Sequence, residues 1–316
     1  MTSPEDVRAR VREGGLLSSD ARVVAMLSGG RDSVCLLDVA VALCGAGKVR
    51  ALHVNYGLRA EADGDEEHCR ELCRQLGVDV EVVPAEREPG ASGNLHAWAR
   101  GRRYAAAGEL AERLGALIAA GHTATDQVET ILYRLAASPG RRALLGMAAQ
   151  EGRLVRPLLV LTREQTAAYC TELGLAWCED QSNDSFQYAR ARVRHGLLAT
   201  LDAVHPAARA NVLRTAALLR EETELLDTLI DAELKGESSI EIERLRELPP
   251  ALARLVVIRL AEDAAGAFVP QAGERVAEIL ALAQHGGRAE LHVGGLVGAV
   301  VEGGVLRMKR IASRMS

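Results

Sequence analysis

The sequence predicts an α/β fold: a parallel sheet with helices on both faces, followed by a smaller, mainly helical domain that ends in short β-strands. Between residues 22 and 180, short β-like runs alternate with longer helical runs, and this order is typical of a parallel sheet. Beyond about residue 205 the pattern changes to a long amphipathic helix and then to a tail of alternating apolar residues. We therefore expect two domains, 1–205 and 206–316.

Four strands and their connecting helices make up the predicted sheet. The strands are the apolar runs RVVAML at 22–27, VRALHV at 49–54, VDVEVV at 78–83 and ALIAAG at 116–121. The spacing of apolar residues predicts helices at about 33–45, 61–76, 94–114 and 126–137. The capping box TREQ predicts another helix from Thr162 to Leu173. Parallel sheets bind ligands at the carboxyl ends of their strands, so we expect function in the loops that follow these strands.

The second domain shows structure but no recognisable chemistry. A long helical pattern begins near residue 206, and shorter helical runs follow near 240–263 and 270–284. The tail RAELHVGGLVGAVVEGGVLRMKR is broken by glycine pairs and predicts two or three short antiparallel strands.

Composition limits the class of protein. The chain has 316 residues, of which 48% are hydrophobic and 26% charged, as in a soluble globular protein. No apolar run approaches the roughly 20 residues of a membrane span, and the polar N-terminus is unlike a signal peptide, so we expect no membrane association and a cytoplasmic location. A net charge of -5 argues against a generally basic nucleic-acid coat but not against a local basic stripe.

The six cysteines do not form a recognisable metal motif. None belongs to a CxxC pair, and none has a histidine at zinc-ligand spacing. Cys69 and Cys73 would share one face of a helix, where they could hold a metal or be small buried side chains.

The loop SGGRDS after the first strand is a candidate anion site. It is neither a Walker A loop nor a dinucleotide fingerprint, because the lysine of the first and the glycine spacing of the second are missing. Its small residues lead into a helix at Ser33, where free N–H groups and the helix dipole favour an anion. The alternative is a plain Gly-Gly turn in which Asp32 and Ser33 cap the helix.

The same loop resembles the SGGxDS loop of the ATP pyrophosphatases, or PP-loop proteins, which cleave ATP between its α and β phosphates. This resemblance implies that the loop holds pyrophosphate and that Asp32 lies near the α-phosphate, where it would help to bind Mg²⁺. The residues that would bind ATP are Ser28, Gly29, Gly30, Arg31, Asp32, Ser33, His53 and Asn55.

The rest of the chain resembles one branch of these proteins, the tRNA(Ile)-lysidine synthases. LHVNYGLR at 52–59 is similar to their HVNHGLR or HVDHGLR segment, NLHAWARGRRY at 94–104 to NLEAxARxxRY, and GHTATDQVETILYRL at 121–135 to GHHADDQAETxLxRL. VRPLL at 155–159 and EDQSNDSFQYARARVR at 179–194 match RPLL and DxSNxxxxxxRNxxR. The departures from this pattern include Tyr56 for His, His96 for Glu, Thr125 for Asp and Ala191 for Asn.

The resemblance implies an ATP-dependent ligase that joins L-lysine to C2 of cytidine 34 in the CAU anticodon of tRNA(Ile). ATP would adenylate the C2 oxygen, pyrophosphate would leave, and the lysine ε-amine would then displace AMP. The implied partners are ATP with Mg²⁺, lysine and tRNA(Ile), and a homodimer is left open.

Acidic residues of the GHTATDQ segment are candidates for the amine site. Asp126 and Glu129 are three apart on a helix and so point the same way, where they could hold the ε-ammonium and accept its proton. An acid pair favoured only by the helix dipole is the alternative. His122, just before this helix, could contact phosphate or base, or be a structural histidine.

Two arginine clusters are candidates for contacts with RNA or phosphate. Arg100, Arg102 and Arg103 lie on one predicted helix, and Arg190, Arg192 and Arg194 lie on another. Arginine binds phosphate through a planar fork and stacks on bases. By resemblance we assign Arg100 and Arg190 to catalysis, and Arg103, Arg192 and Arg194 to substrate binding, although a solvated surface is the alternative for such clusters.

Other functions with a similar loop fit the sequence less well. Enzymes of the 2-thiocytidine type need cysteine pairs for an iron–sulfur cluster, and no CxxC is present. Glutamine-dependent synthetases need a glutaminase, for which no Cys and His arrangement stands out. A nucleotide-binding regulator without turnover stays open because of Thr125 and His96.

Overall fold

The computed structural model describes residues 3–57, 62–85, 87, 93–137, 140–178, 189–285 and 287–311. The chain divides into two compact units, Met1–Ala216 and Ala217–Ser316. The domain boundary expected at 205/206 stays a prediction. One long helix, α10, includes residues of both units.

A six-stranded, mostly parallel sheet organises the first unit. Its order is β3-β2-β1-β4-β6-β5, and every neighbouring pair is parallel except β5 with β6. The strands are β1 Val23–Met26, β2 Val49–Asn55, β3 Asp79–Pro84, β4 Leu117–Ala119, β5 Gln150–Glu151 and β6 Leu154–Val155. The four predicted strands are confirmed. The other two are only two residues long, which is too short to show the alternation that marks a strand.

Nine helices of the described residues belong to the first unit before α10. They are α1 Pro4–Glu13, α2 Arg31–Cys44, α3 Ala62–Gln75, α4 Leu95–Leu114, α5 Ala124–Ala137, α6 Arg141–Leu144, α7 Arg163–Glu172, α8 Ala189–Arg192 and α9 Leu198–Val204. A π-helical turn, Val193–Leu197, joins the last two. Helix α1 was not predicted, although Ser3 and Asp6 form a complete capping box at its start. None of the helices described along the chain is both long enough and apolar enough to cross a membrane.

The two faces of the sheet bury separate cores. Val23 and Ala25 of β1 pack in a cluster with residues of α1, α2, α3 and α7, whereas Val24 and Met26 pack with residues of α4. Successive residues of a strand point to opposite faces, so helices cover both sides of the sheet, as predicted. The apolar character of the whole strand follows from this double burial.

The second unit is a helical layer with a small antiparallel sheet. Its elements are α10 Ala208–Leu234, α11 Ile242–Glu247, α12 Pro250–Ala265, α13 Val276–Leu282, β7 Ser239–Glu241, β8 Ala289–Gly294, β9 Val297–Glu302 and β10 Val305–Arg310. The sheet order is β7-β10-β9-β8. The helical stretch and the three strands of the tail confirm the prediction, and β7 was not foreseen. Val256 and Val257 of α12 and Leu306 of β10 are fully buried between the layers.

Candidate active site

The loops after β1 and β4 meet at one edge of the sheet. A Cβ on Gly121, which follows β4, would lie 3.0 Å from the carbonyl oxygen of Asp32 and 3.3 Å from the backbone nitrogen of Ser33. Glycine suits this approach, because a Cβ at these distances would be closer than nearly all Cβ contacts and would push the first turn of α2 away by a few tenths of an ångström. The GHTATDQ segment therefore packs directly on the first turn of α2.

The SGGRDS loop is closed by its own serines. The Ser28 N–H donates to Ser33 Oγ at 3.1 Å, and Ser33 Oγ–H donates to the Gly30 carbonyl at 2.7 Å. Gly29 has φ +83°, a left-handed conformation that favours glycine. Gly30 is the N-cap of α2 and has no side chain with which to cap it. The start of α2 therefore has no side-chain cap, and a helix N-terminus of this kind favours an anion.

Asp32 lies between two guanidinium groups. The Thr166 hydroxyl donates to Oδ1, and Arg31 Nε lies 3.5 Å from the same oxygen. Arg163 Nε lies 3.4 Å from Oδ2. Together these contacts hold the Asp32 carboxylate in one orientation beside the loop.

Asp126 presents its two oxygens to different partners. Oδ2 accepts hydrogen bonds from the Thr123 N–H and the Thr123 hydroxyl, both at 2.9 Å. Oδ1 lies 3.7 Å from Arg163 and 3.9 Å from Arg194. Burial opposes ionisation of this carboxyl, but the Thr123 N–H bond, the Arg163 charge, the Thr123 hydroxyl and His122 together leave its pKa below the ordinary value.

Glu129 completes the pair of acids on α5. Its carboxylate is fully buried. Arg194 donates two hydrogen bonds to it, from Nε to Oε1 at 2.6 Å and from Nη2 to Oε2 at 3.0 Å. Negative and positive groups thus alternate across the site. We call this series the charge row: Asp32, Arg163, Asp126, Arg194 and Glu129.

The residues beside Asp126 attach α5 to its neighbours. Thr125 Oγ1 accepts a hydrogen bond from the backbone N–H of Arg163 at 3.1 Å, so the threonine that departs from the family pattern anchors the start of α7. The Gln127 side chain donates to the Met147 carbonyl at 2.9 Å and accepts from the Met147 N–H at 2.7 Å.

The histidines and asparagine predicted at the site lie around the loop. His53 is buried, with Nδ1 3.0 Å from the Leu27 carbonyl, and burial lowers its pKa against the opposing effect of that bond. The Asn55 amide donates to Glu66 at 2.9 Å. His122 is close enough to Asp126 to help lower the pKa of that acid.

Arg100 and Arg103 of α4 lie against an aromatic ring. Their guanidinium carbons lie 4.4 and 5.9 Å from the ring centre of Tyr104. Tyr56, which replaces the family's histidine, donates its hydroxyl to the Ala99 carbonyl at 3.0 Å and packs edge-on against Trp98. These two arginines therefore contact Tyr104, whereas Arg194 belongs to the charge row.

Some of the predicted residues lie outside what the structure describes. These are residues 58–59 and 179–188 of two matched segments, and the side chains of His96 and Arg190. Arg192 is exposed at the end of α8. The remaining predicted residues, from the loop to the acid pair, lie in the first unit.

Three site residues were not predicted from the sequence. Thr123 donates to Asp126, Thr166 donates to Asp32, and Arg163 lies between both acids. The TREQ motif contains Arg163, but it indicates only where a helix begins. The contact between α7 and α2 belongs to the tertiary structure, and no local sequence pattern predicts it.

Comparison with known proteins agrees with this geometry. The model of the PP-loop domain matches residues 5–201, which is more than half of the chain. The chain belongs to the PP-loop family. Membership in the PP-loop family implies that the chain binds ATP.

Two relatives of this PP-loop protein show how far the similarity extends. A tRNA(Ile)-lysidine synthase of Pseudomonas syringae pv. tomato is 42% identical over 211 residues, which cover 64% of this chain and 46% of the relative. One of Dehalococcoides mccartyi is 34% identical over 290 residues, which cover 83% of this chain and 60% of the relative. The chain spans about half the length of the curated relatives it matches most strongly.

A solved structure supports the PP-loop fold. The U34-tRNA thiolase NcsA of Methanococcus maripaludis, solved with its 4Fe–4S cluster, matches with a TM-score of 0.57. The match covers 68% of this chain and 78% of the thiolase, at 16% sequence identity. At that identity the likeness shows the fold alone.

Proposed function

We propose that this PP-loop protein is a ligase that joins L-lysine to C2 of cytidine 34 in the CAU anticodon of tRNA(Ile), through an adenylated cytidine, with release of pyrophosphate and AMP. The observation that carries the proposal is the charge row, which connects the phosphate loop to a buried acid pair. Relatives named tRNA(Ile)-lysidine synthase, matched over most of this chain, support the same reaction.

The first half of the reaction uses the loop and Asp32. The N–H groups at the start of α2 receive the departing pyrophosphate, because a helix N-terminus stabilises anions. Mg²⁺ prefers one or two carboxylates and takes its other ligands from phosphate and water. Asp32 offers such a carboxylate beside the phosphate loop. The site therefore fits Mg²⁺ that arrives with ATP, and there the ion would neutralise phosphate charge.

The second half uses the acid pair to bind the lysine ε-ammonium. Oδ1 of Asp126 is the acceptor, because its guanidinium neighbours at 3.7 and 3.9 Å are beyond hydrogen-bond distance. The lowered pKa of Asp126 suits it to hold a cation but makes it a weak base. The ammonium proton therefore passes to solvent before the neutral amine attacks C2, rather than staying on this acid.

RNA contacts come from the arginines near the site. Arg100 and Arg103 stack with Tyr104. Arg192, two residues before Arg194 in the sequence, is exposed. Guanidinium groups beside an aromatic ring suit both phosphate and an unstacked base. An anticodon loop is single-stranded, so its first base can enter a pocket without the opening of a duplex.

The test is transfer of labelled lysine. The chain is incubated with ATP, Mg²⁺, labelled lysine and tRNA(Ile) transcript, and the nucleosides are identified by mass after digestion. We expect lysine on one cytidine, and none when ATP is omitted or when the first anticodon base is uridine. Label that stays free while pyrophosphate is released would exclude lysine as the acceptor.

The alternatives have less support. A 2-thiocytidine enzyme needs cysteine ligands for a cluster, and the six cysteines include no CxxC pair. A regulator without turnover would release no pyrophosphate when tRNA is added, which the same assay measures.

A further inference from the structure

We infer that Arg163 is a positioning residue for this reaction: it fixes Asp32 and Asp126 relative to each other, and its charge weakens the hold of Asp126 on the lysine ammonium so that the amine can react. The inference rests on the proposed function and extends it to a residue outside the matched segments.

Arg163 is fixed at its backbone and loosely engaged at its side chain. Its N–H donates to Thr125 Oγ1 of α5 at 3.1 Å, one residue from Asp126. Its guanidinium reaches Asp32 at 3.4 Å and Asp126 at 3.7 Å. Both distances exceed the usual 2.7–3.2 Å of a hydrogen bond, and the buried Nε makes no hydrogen bond. The contacts are therefore electrostatic: they hold the guanidinium between the two acids without a hydrogen bond that a ligand would have to break.

Arg194, the other cation of the charge row, is bound to Glu129. Arg194 donates twice to Glu129, at 2.6 and 3.0 Å, and lies 3.9 Å from Asp126. A bidentate ion pair with a fully buried carboxylate costs much free energy to break. When an ammonium group binds Oδ1 of Asp126, the Arg163 side chain, rather than Arg194, is therefore the one that can move.

The charges around Asp126 determine how tightly the ammonium binds. The row contains three carboxylates and two guanidiniums, and Arg31 adds a further cation at 3.5 Å from Asp32. His122, Glu164 and Arg209 are further charged or titratable groups near this row. An ammonium at Oδ1 approaches two guanidiniums, and like charge favours the neutral amine, which is the nucleophile.

Loss of the Arg163 charge should therefore have two opposite effects. The ammonium should bind more tightly, with the lysine Kd lowered about threefold or more, since a like charge several Å away has been removed. The amine should react more slowly, with kcat for lysine transfer reduced about tenfold, because less of it is neutral and the two acids are no longer fixed.

The experiment compares wild type, R163Q and R163K. Lysine Kd is measured by calorimetry without tRNA, kcat by lysine transfer, and the first half-reaction by tRNA-dependent ATP–pyrophosphate exchange without lysine. We expect R163Q to lower both Kd and kcat. R163K keeps the charge and should restore Kd to near the wild-type value. R113Q is the matched control, because it removes an arginine paired with Glu81 on the surface of the same unit.

The outcomes separate this inference from the proposed function. A higher lysine Kd in R163Q, or equal Kd in R163Q and R163K, overturns the role of the charge. Wild-type protein that binds lysine but never transfers it refutes the proposed function, while the Kd comparison still decides on Arg163. Wild-type protein that binds no lysine in the absence of tRNA overturns the inference about Arg163, whereas the transfer assay still decides on the proposed function. If R163Q melts well below R163K, R163M replaces it as the uncharged variant.

Discussion

The two acids of α5 are three residues apart, yet they meet different surroundings. Glu129 is enclosed and held by both arms of Arg194, whereas one oxygen of Asp126 has only distant cations beside it. Glu129 therefore fixes Arg194, and we propose Asp126, rather than Glu129, as the acid that binds the lysine ammonium. The three-residue spacing places the two carboxylates on one face of the helix, but the side chains that each contacts determine which of them binds a ligand.

Replacement of Asp32 by Asn should show whether the reaction needs the negative charge of this side chain or only its shape. Asp32→Asn keeps the size and the contact with Thr166 but removes the charge between Arg31 and Arg163. We expect tRNA-dependent ATP–pyrophosphate exchange to fall by about a hundredfold or more, as when one electrostatic group of an active site is lost. The melting temperature serves as the control for folding. Exchange near the wild-type rate in a folded variant contradicts the assignment.

Asp126 should make the protein more sensitive to acid. Its pKa is lower in the folded chain than the ordinary aspartate value of 3.8. Such a group stabilises the fold above the unfolded pKa, and this contribution is lost as the pH falls through the folded pKa. The difference in melting temperature between wild type and Asp126→Asn should therefore shrink as the pH is lowered from about 5 to below 3.8. A constant difference across that range would show that the charge of Asp126 adds nothing to stability.

The side chains of the site show what the sequence could and could not predict. Ser28, Asp32 and Asp126 stand out because they belong to segments of known spacing next to strand ends. Arg163 and Thr166 do not, because their role depends on α7 packing against α2, and many residues separate these helices. Local patterns indicate helices and strands, whereas pairs between distant segments come from tertiary packing.

At the scale of elements, a buried polar group holds three helices together. Tyr169 of α7 donates its hydroxyl to Asp38 of α2, and Arg8 of α1 donates to both side chains, each at 2.9 Å. Tyr169 has no exposed surface. Because α7 begins with Arg163, this group also determines where the middle of the charge row lies.

Removal of the Tyr169 hydroxyl should therefore reduce stability more than chemistry. Tyr169→Phe leaves Asp38 paired with Arg8 but removes the hydroxyl that donates to Asp38 and accepts from Arg8. We expect a loss of about 1–2 kcal/mol in the free energy of unfolding, measured by urea denaturation. Lysine Kd should change less than twofold, since helix packing keeps α7 in place. A large change in Kd without loss of stability would mean that the hydroxyl acts on the site directly.

The three strands missed in the sequence share a physical cause. Strands β5 and β6 have two residues each, and β7 has three, so none of them is long enough to show a period of two. They form because a neighbouring strand offers an unpaired edge: β4 to β6, and β10 to β7. The long strands and helices were predictable since their own apolar spacing identifies them.

At the scale of the whole molecule, the first unit extends into α10. Val212 and Leu213 of this helix pack on the cluster formed by Val128, Leu132, Val193 and Leu198. This cluster lies behind the acid pair of α5, because Val128 and Leu132 belong to the same helix. A chain that ends at 205 lacks these contacts, and a chain that ends at 216 keeps them.

Two truncated chains should therefore differ in stability but not in ATP binding. We expect residues 1–216 to melt at a higher temperature than residues 1–205, because Val212 and Leu213 bury apolar surface. Both should bind ATP, since the phosphate loop lies well inside them. Lysine transfer to tRNA should fall steeply in both relative to the full chain, and more so at high salt, because phosphate contacts spread over a wide surface supply RNA affinity. Transfer equal to that of the full chain at both salt concentrations would show that residues after 216 do not position the tRNA.

The close packing of Gly121 on α2 predicts which alleles of this chain survive selection. Any side chain at 121 would collide with main-chain atoms at Asp32 and Ser33, which cannot rotate away. Gly115 has φ +61° but open space around it, so Asn, which tolerates this conformation, should be accepted there. In a library of all single substitutions selected for activity, position 121 should retain glycine alone, whereas position 115 should also retain asparagine. Survival of alanine at 121 would mean that the first turn of α2 can move without loss of function.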